Sequence, residues 1–155
     1  VLADWERTVG PDHPDTIAAR ANLAFCYRSA GQLREAIPVY AQTLADRERV
    51  SGTDHADTRT ARASLAGAYL QAGRHADAIT QYEHVLADCE HILGPGELET
   101  LTVRSALAAA QYADGRLVEA ITLLERTLTD CERYLGHDHP LTRTVRDNLT
   151  AASEA

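Results

Sequence analysis

Four arginines stand at equal intervals along the chain, Arg20, Arg62, Arg104 and Arg146, each 42 residues from the next. Two acidic columns keep the same step: Asp4, Asp46, Asp88 and Asp130, and Glu6, Glu48, Glu90 and Glu132. A guanidinium is a planar, permanently charged fork that grips a carboxylate or a phosphate at two points. A row of such groups could therefore hold an acidic peptide or a phosphate, or it could be neutralised by acids of the same chain. Each acid lies late in the helix that precedes an arginine. Folding that helix back on the next one sets Asp4 or Glu6 opposite Arg20, and so on down the series. Arginines one helix-packing distance apart, about 10 Å, would otherwise repel. A ladder of structural ion pairs is the preferred reading, with ligand binding second.

The other reactive side chains do not converge. His13, His55 and His139 recur at one position of the period, where an exposed junction role is expected, and the remaining histidines lack ligand spacing. Cys26, Cys89 and Cys131 form no Cys-x-x-Cys pair, so neither a disulfide framework nor a zinc site is indicated. They read as free thiols of a reducing, cytoplasmic setting. No nucleophile motif or glycine-rich phosphate loop is present. The sequence thus predicts no catalytic residues, no metal and no cofactor. A net charge of −8, with all fifteen cations being arginine and spread evenly, argues against nucleic acid. No run approaches the roughly 20 apolar residues of a membrane span.

The elements that position these groups follow from the period. Gly10, Gly52, Gly94 and Gly136 share the 42-residue step, as do Thr16, Thr58, Thr100 and Thr142, and Leu23, Leu65, Leu107 and Leu149. Three-copy columns agree, among them Gly31, Gly73 and Gly115, and Ala36, Ala78 and Ala120. Self-similarity without insertions marks a repeat architecture. Each period reads as two helices, A and B. The first A helix is predicted from about Pro14 to Ala30, with Asp12 as N-cap and Asp15 completing a capping pair. Gly31 ends it. The first B helix is predicted from about Leu33 to Arg49, its apolar stripe being Leu33, Ala36, Ile37, Tyr40 and Leu44. Pro38 should bend that helix mildly. The small residues at Ala36, Ala78 and Ala120 should let A and B pack closely. The expected organisation is one all-α array. Residues 1–10 are the end of a B helix, 11–52, 53–94 and 95–136 are three full repeats, and 137–155 is a final A helix. The chain reads as a piece of a longer protein.

Leu23-Ala24-x-x-Tyr27 followed by Ala36-x-x-x-Tyr40, and Leu65-Ala66-x-x-Tyr69 with Ala78 and Tyr82, resemble the landmarks of tetratricopeptide repeats. The third copy departs, with Gln111 and Leu124 at the aromatic positions. The period exceeds the usual 34 or so, and this longer form is similar to the repeats of kinesin light chains and of bacterial multidomain regulators. Gly10-Pro-Asp-His-Pro14 and Ala36-Ile-Pro-Val-Tyr40 carry that likeness. The resemblance implies a right-handed superhelical solenoid whose A helices line a concave groove. Groove-facing residues would be Ala21, Asn22, Phe25 and Arg28 in the first copy, and Ser64, Gly67, Leu70 and Gln71 in the second. Ser105, Ala109 and Tyr112 follow in the third, and Asn148 in the last helix. It implies a scaffold that binds a protein or peptide partner and does no chemistry of its own. The alternative is a self-associating arm of a signalling or transcriptional regulator. There, head-to-tail stacking would cover apolar surface expected around Leu2, Trp5, Val145 and Leu149.

Overall fold

The computed structural model describes residues 2–155. They form eight α-helices, and no strand occurs among the described residues: α1 Leu2–Thr8, α2 Pro14–Ser29, α3 Leu33–Ser51, α4 Ala56–Gln71, α5 His75–Ile92, α6 Leu98–Ala113, α7 Leu117–Tyr134 and α8 Pro140–Ser153. In the terms of the period, α2, α4, α6 and α8 are A helices and α1, α3, α5 and α7 are B helices. The helices gather into two compact units, one running up to Arg74 and the other starting at His75.

Why the A helices begin where they do differs from expectation. Asp12 does not cap α2; His13 does, its Nδ1 accepting the Asp15 N–H at 3.2 Å. His55 caps α4 and His139 caps α8 in the same way. An imidazole nitrogen thus does the work that a short oxygen side chain usually does at a helix start. Asp12 instead bonds Arg49 at 2.6 Å, and that pairing holds its carboxyl below the ordinary range. In the third copy the cap position is Glu97, which makes no such bond. Gly96 stands where the others carry aspartate, and a Cβ there would lie 2.7 Å from the Tyr134 ring.

The first three A helices end alike. The N–H groups of Gly31 and Gln32 bond back to the carbonyls of Arg28 and Tyr27, and the pattern recurs at Gly73 and Gly115. The glycine of each takes a left-handed φ near +75° that β-carbons disfavour, for example +73° at Gly31. Pro38 lies within α3, which runs through it as one helix.

In the first unit α2 packs on α3 and α3 on α4, around a core of Ala24, Ala36, Tyr40, Leu44, Ala61, Leu65 and Ala68. In the second, α5 to α8 pack in sequence, and Leu101, Ala108, Leu124, Cys131, Val145 and Ala152 form the core. Ala36, Ala78 and Ala120 are wholly buried. Val145 is also wholly buried, against the expectation that it would be exposed for stacking; Trp5 is 38% exposed, and Leu2 and Leu149 are half-buried.

The threonine column has a role that the sequence did not disclose. Thr16, Thr58, Thr100 and Thr142 are fully buried, and each hydroxyl donates to the carbonyl of the glycine six residues back, at 2.6 to 2.8 Å. This ties the start of every A helix to the end of the preceding B helix. Thr100→Val should leave the Gly94 carbonyl unpaired and lower stability by about 1–3 kcal/mol. Thr102→Val, on the exposed side of the same helix, should change it by less than about 0.5 kcal/mol. Thermal melts of the two variants side by side check this, and equal melting points would refute it.

Candidate functional site

Three of the four arginines in the 42-residue column are buried charges. Arg104 has no exposed surface, and Arg20 and Arg62 are also buried. Arg104 donates to Glu90 of α5 at 2.7 Å and to Asp130 of α7 at 2.6 Å, so one side chain joins three helices. Arg20 makes the equivalent bonds, to Glu6 of α1 at 2.7 Å and to Asp46 of α3. Arg62 holds Glu48 at 2.6 Å, and Arg146 holds Glu132 at 2.9 Å. The two acidic columns therefore have different roles. The glutamate comes from the B helix before the arginine, whereas at Arg20 and Arg104 the aspartate comes from the B helix after it. Asp4, expected opposite Arg20, bonds Arg7 one turn away at 3.0 Å on an exposed face.

This geometry fits burial of charge. A guanidinium taken out of water is tolerable when carboxylates compensate its charge; the two terminal nitrogens of Arg104 are engaged in this way, while its buried Nε has no hydrogen-bond partner. The pair at α8 is more open, with the Arg146 side chain 42% exposed. There Arg146 and then His137 hold the Glu132 carboxyl below its ordinary value of 4.5.

The residues assigned to a groove fall on the A helices as follows. In the first unit α2 carries Asn22 and Phe25 exposed and Ala21 and Arg28 half-buried, and α4 carries Gln71 exposed and Ser64, Gly67 and Leu70 half-buried. Arg28 lies on two aromatic faces, its guanidinium carbon 5.6 Å from the Phe25 ring centre and 5.8 Å from that of Tyr40. Burial pushes the Tyr40 phenol above its ordinary value, and the Arg28 charge works against that. In the second unit α6 carries Ala109 and Tyr112 exposed, and α8 carries Asn148 exposed. Ser105 is 7% exposed, so it belongs to the packed interior and not to a free surface.

Three of these residues share a pocket. Ala109, Tyr112 and Asn148, with Ala108, Leu124, Ala151 and Ala152, line an open hollow of about 120 Å³ between α6, α7 and α8. Its lining is mostly apolar, with the Asn148 amide and the Tyr112 hydroxyl as its hydrogen-bonding side-chain groups. A second hollow involves Leu107, Val118, Leu123 and Gln111, whose buried Oε1 accepts no hydrogen bond in the structure. Gln111 is the residue that replaces Tyr27 and Tyr69 in the period.

Among the described residues no three His, Cys, Asp or Glu side chains are placed to hold a metal ion, and no helix is long and apolar enough to cross a membrane. Cys89 and Cys131 are buried, Cys26 is exposed, and burial pushes the Cys131 thiol upward, away from the reactive thiolate.

The comparisons with known proteins agree with this geometry. The family model for the tetratricopeptide repeat matches residues 1–49, 22–91 and 99–152. A crystal structure from Podosopora anserina, described as "putative kinesin light chain nearly identical TPR-like repeats", superposes with a TM-score of 0.87 at 27% identity, over 99% of this chain and 72% of that one. A single-substitution variant of it gives 0.89 with the same identity and coverage. BtubC (BKLC) of P. vanneervenii shares the fold, with a TM-score of 0.81 at 20% identity over 92% of this chain and 57% of that one. No curated protein matches the sequence.

Arg104→Ala should destabilise the chain by about 3 kcal/mol, because two carboxylates lose the cation that holds them between helices; urea midpoints measure it. Arg146→Ala should cost less, and its cost should depend on pH. The lowered Glu132 value means that its pairing contributes fully above pH 4.5 and fades as pH falls through the folded value below that. Melting points of wild type and Arg146→Ala should therefore converge in acid; a gap that persisted there would refute the assignment.

Proposed function

Because the chain belongs to the tetratricopeptide repeat family, we propose that it is a protein-interaction scaffold, taking a peptide or helical segment of a partner protein on the exposed faces of its A helices. The family is one of interaction scaffolds, and the all-helical fold is shared with solved kinesin-light-chain-like repeats. The observation that carries the reading for this chain is the hollow at Ala109, Tyr112 and Asn148. It is a small apolar recess on an exposed helical face, rimmed by an amide that can bond a peptide backbone. Such a recess takes one apolar side chain as an anchor, and the neighbouring amide fixes the direction of the chain that bears it. The buried arginines have their own carboxylates and support the fold, so they are not part of the binding surface in this reading. The chain acts by holding partners and catalyses nothing.

Stacking of one copy on another is the competing use of the same helices. The burial of Val145 takes away part of the apolar face that it would need. We expect light scattering after size exclusion to give a constant 16.9 kDa over a wide concentration range. Mass rising with concentration would favour the stacking arm instead.

The direct test is selection of random peptides displayed on phage against the chain, followed by rebinding to Ala109→Trp. That substitution fills the recess from the exposed side, and circular dichroism checks that the helices remain. Peptides that bind wild type and lose at least about tenfold in affinity on the variant support the proposal. A selection that yields no binders, or binders indifferent to Ala109→Trp, sinks it.

A further inference from the structure

Among the described residues two buried side-chain polar atoms have no hydrogen-bond partner, Arg104 Nε and Gln111 Oε1. Arg104 has no exposed surface, so its nitrogen is closed to any ligand. Gln111 is different. It is half-buried and lines the second hollow, an open space of about 400 Å³ between α6 and α7. A buried acceptor without a donor costs stability, and native structures rarely carry one without a reason. Its polar neighbours in the hollow are turned elsewhere: Thr122 donates its hydroxyl to the Val118 carbonyl at 2.8 Å, and Arg126 reaches Glu90 at 3.4 Å.

The repeat explains the space but not the amide. One and two periods back the place of Gln111 is held by Tyr69 and Tyr27, both half-buried and packed on the core of their unit. A phenol ring is what the period puts here, and the slimmer glutamine leaves room for one. Leu107, Val118 and Leu123 supply apolar walls. Val118 is 75% exposed, more than any other large apolar side chain among the described residues. An aliphatic residue at 111 would have served packing without stranding an acceptor.

We propose that this hollow seats a tyrosine side chain of a partner protein, entering hydroxyl first, its ring against Leu107, Val118 and Leu123 and its hydroxyl donating to Gln111 Oε1. This goes beyond the scaffold reading above, because α6 lines the other hollow with Ala108, Ala109 and Tyr112 and this one with Leu107 and Gln111. The last torsion of a glutamine is soft, so the oxygen turns readily toward an arriving donor. Complementarity of charge selects the occupant. The oxygen is a negative pole and calls for the positive end of an N–H or O–H bond. Glu119 and Arg126, both exposed at the rim, carry opposite signs, so a net charge gains nothing there. A lysine or arginine pushed to the floor would be a cation without a counter-ion. Serine and threonine bring a donor but little apolar surface, and phenylalanine brings a ring without a donor. Tyrosine has an apolar body with the donor at its tip.

The experiment is an NMR titration of the chain, with labelled leucine and valine methyl groups, against N-acetyl-tyrosinamide, N-acetyl-phenylalaninamide and p-cresol. The expected result is saturable shifts of the Leu107, Val118 and Leu123 methyl signals with the tyrosine amide. Its affinity should exceed that of the phenylalanine amide about tenfold, the gain that one hydrogen bond to an otherwise stranded acceptor gives. Q111Y restores the residue of the other copies, so it should fold and lose the response. Q111M keeps the length and removes the acceptor, so it should bind the two amides equally. A109W, which fills the other hollow, should leave the response unaltered. Circular dichroism of each variant separates lost binding from lost folding. Equal binding of both amides to wild type overturns the proposal, as does a response that survives Q111Y, a preference that survives Q111M, or no response at tens of millimolar. Tighter binding of p-cresol than of the tyrosine amide would overturn it in favour of a free phenol. A response lost on A109W would place the tyrosine in the other hollow, which overturns this inference and leaves the scaffold reading standing.

Discussion

A buried guanidinium cannot be left without counter-charge, and that constraint organises each unit. Arg104 has no exposed surface, and its two acids arrive from different helices, Glu90 from α5 and Asp130 from α7. The charge is compensated by both acids only when all three helices are in register. Arg20 imposes the same condition on α1, α2 and α3. Buried ion pairs are poor sources of net stability, since desolvation offsets much of the attraction. Their contribution here is one of selection: a helix slipped by one residue would strand a charge in an apolar interior.

With register fixed by the arginines, and each turn from a B helix into the next A helix fixed by a threonine hydroxyl on a glycine carbonyl, little else at the surface is constrained. The exposed positions of the A helices are free to differ, and they do. Phe25 and Arg28, Gly67 and Leu70, and Ala109 and Tyr112 are three unlike answers at one pair of places in the period. The first is charged and aromatic, the second small and aliphatic, the third small beside a phenol. A recognition surface needs this freedom, because specificity is a difference between affinities and the same side chains repeated would offer none.

Much of this was legible in the sequence because periodicity is an averaged signal. The repeat register placed the bounds of α2 and α3 to within about two residues. The class of the fold, its helix pairs and the burial of Ala36, Ala78 and Ala120 followed from that pattern. What failed depended on a single bond or on which neighbour a residue meets. Asp12 looks like a cap by type, but the backbone turns one residue later and His13 takes the place. The acid columns could be matched to the arginines but not divided between them: two residues apart on a helix, the acids point to opposite sides, and only the fold shows that the glutamate reaches forward and the aspartate back. Ser105 was assigned to a surface from its register, and burial at that depth depends on packing that the period does not encode. The threonine column was visible and silent, since a hydroxyl bonding six residues back has no sequence signature apart from its recurrence.

The pairing at Gly96 bears on how such chains could be recombined. Gly96 lies under the Tyr134 ring, and Asp12, which occupies the same place in the first copy, is bonded to Arg49. Both idiosyncratic pairs fall inside a single stretch, 95–136 in one case and 11–52 in the other. The bonds that run from one stretch to the next, Arg20 to Glu6 and Thr16 to the Gly10 carbonyl, use residue types that every copy has. Arg47 to Asp57 and His137 to Glu132 cross between stretches as well, and those pairs are not shared by every copy. Cut directly after the junction glycine, the copies would keep the common coupling of arginine, glutamate and threonine in any order, and an exchange there would lose only such added pairs. Cut a few residues later, between Gly96 and the helix that ends in Tyr134, the same exchange would press an aspartate side chain into an aromatic ring.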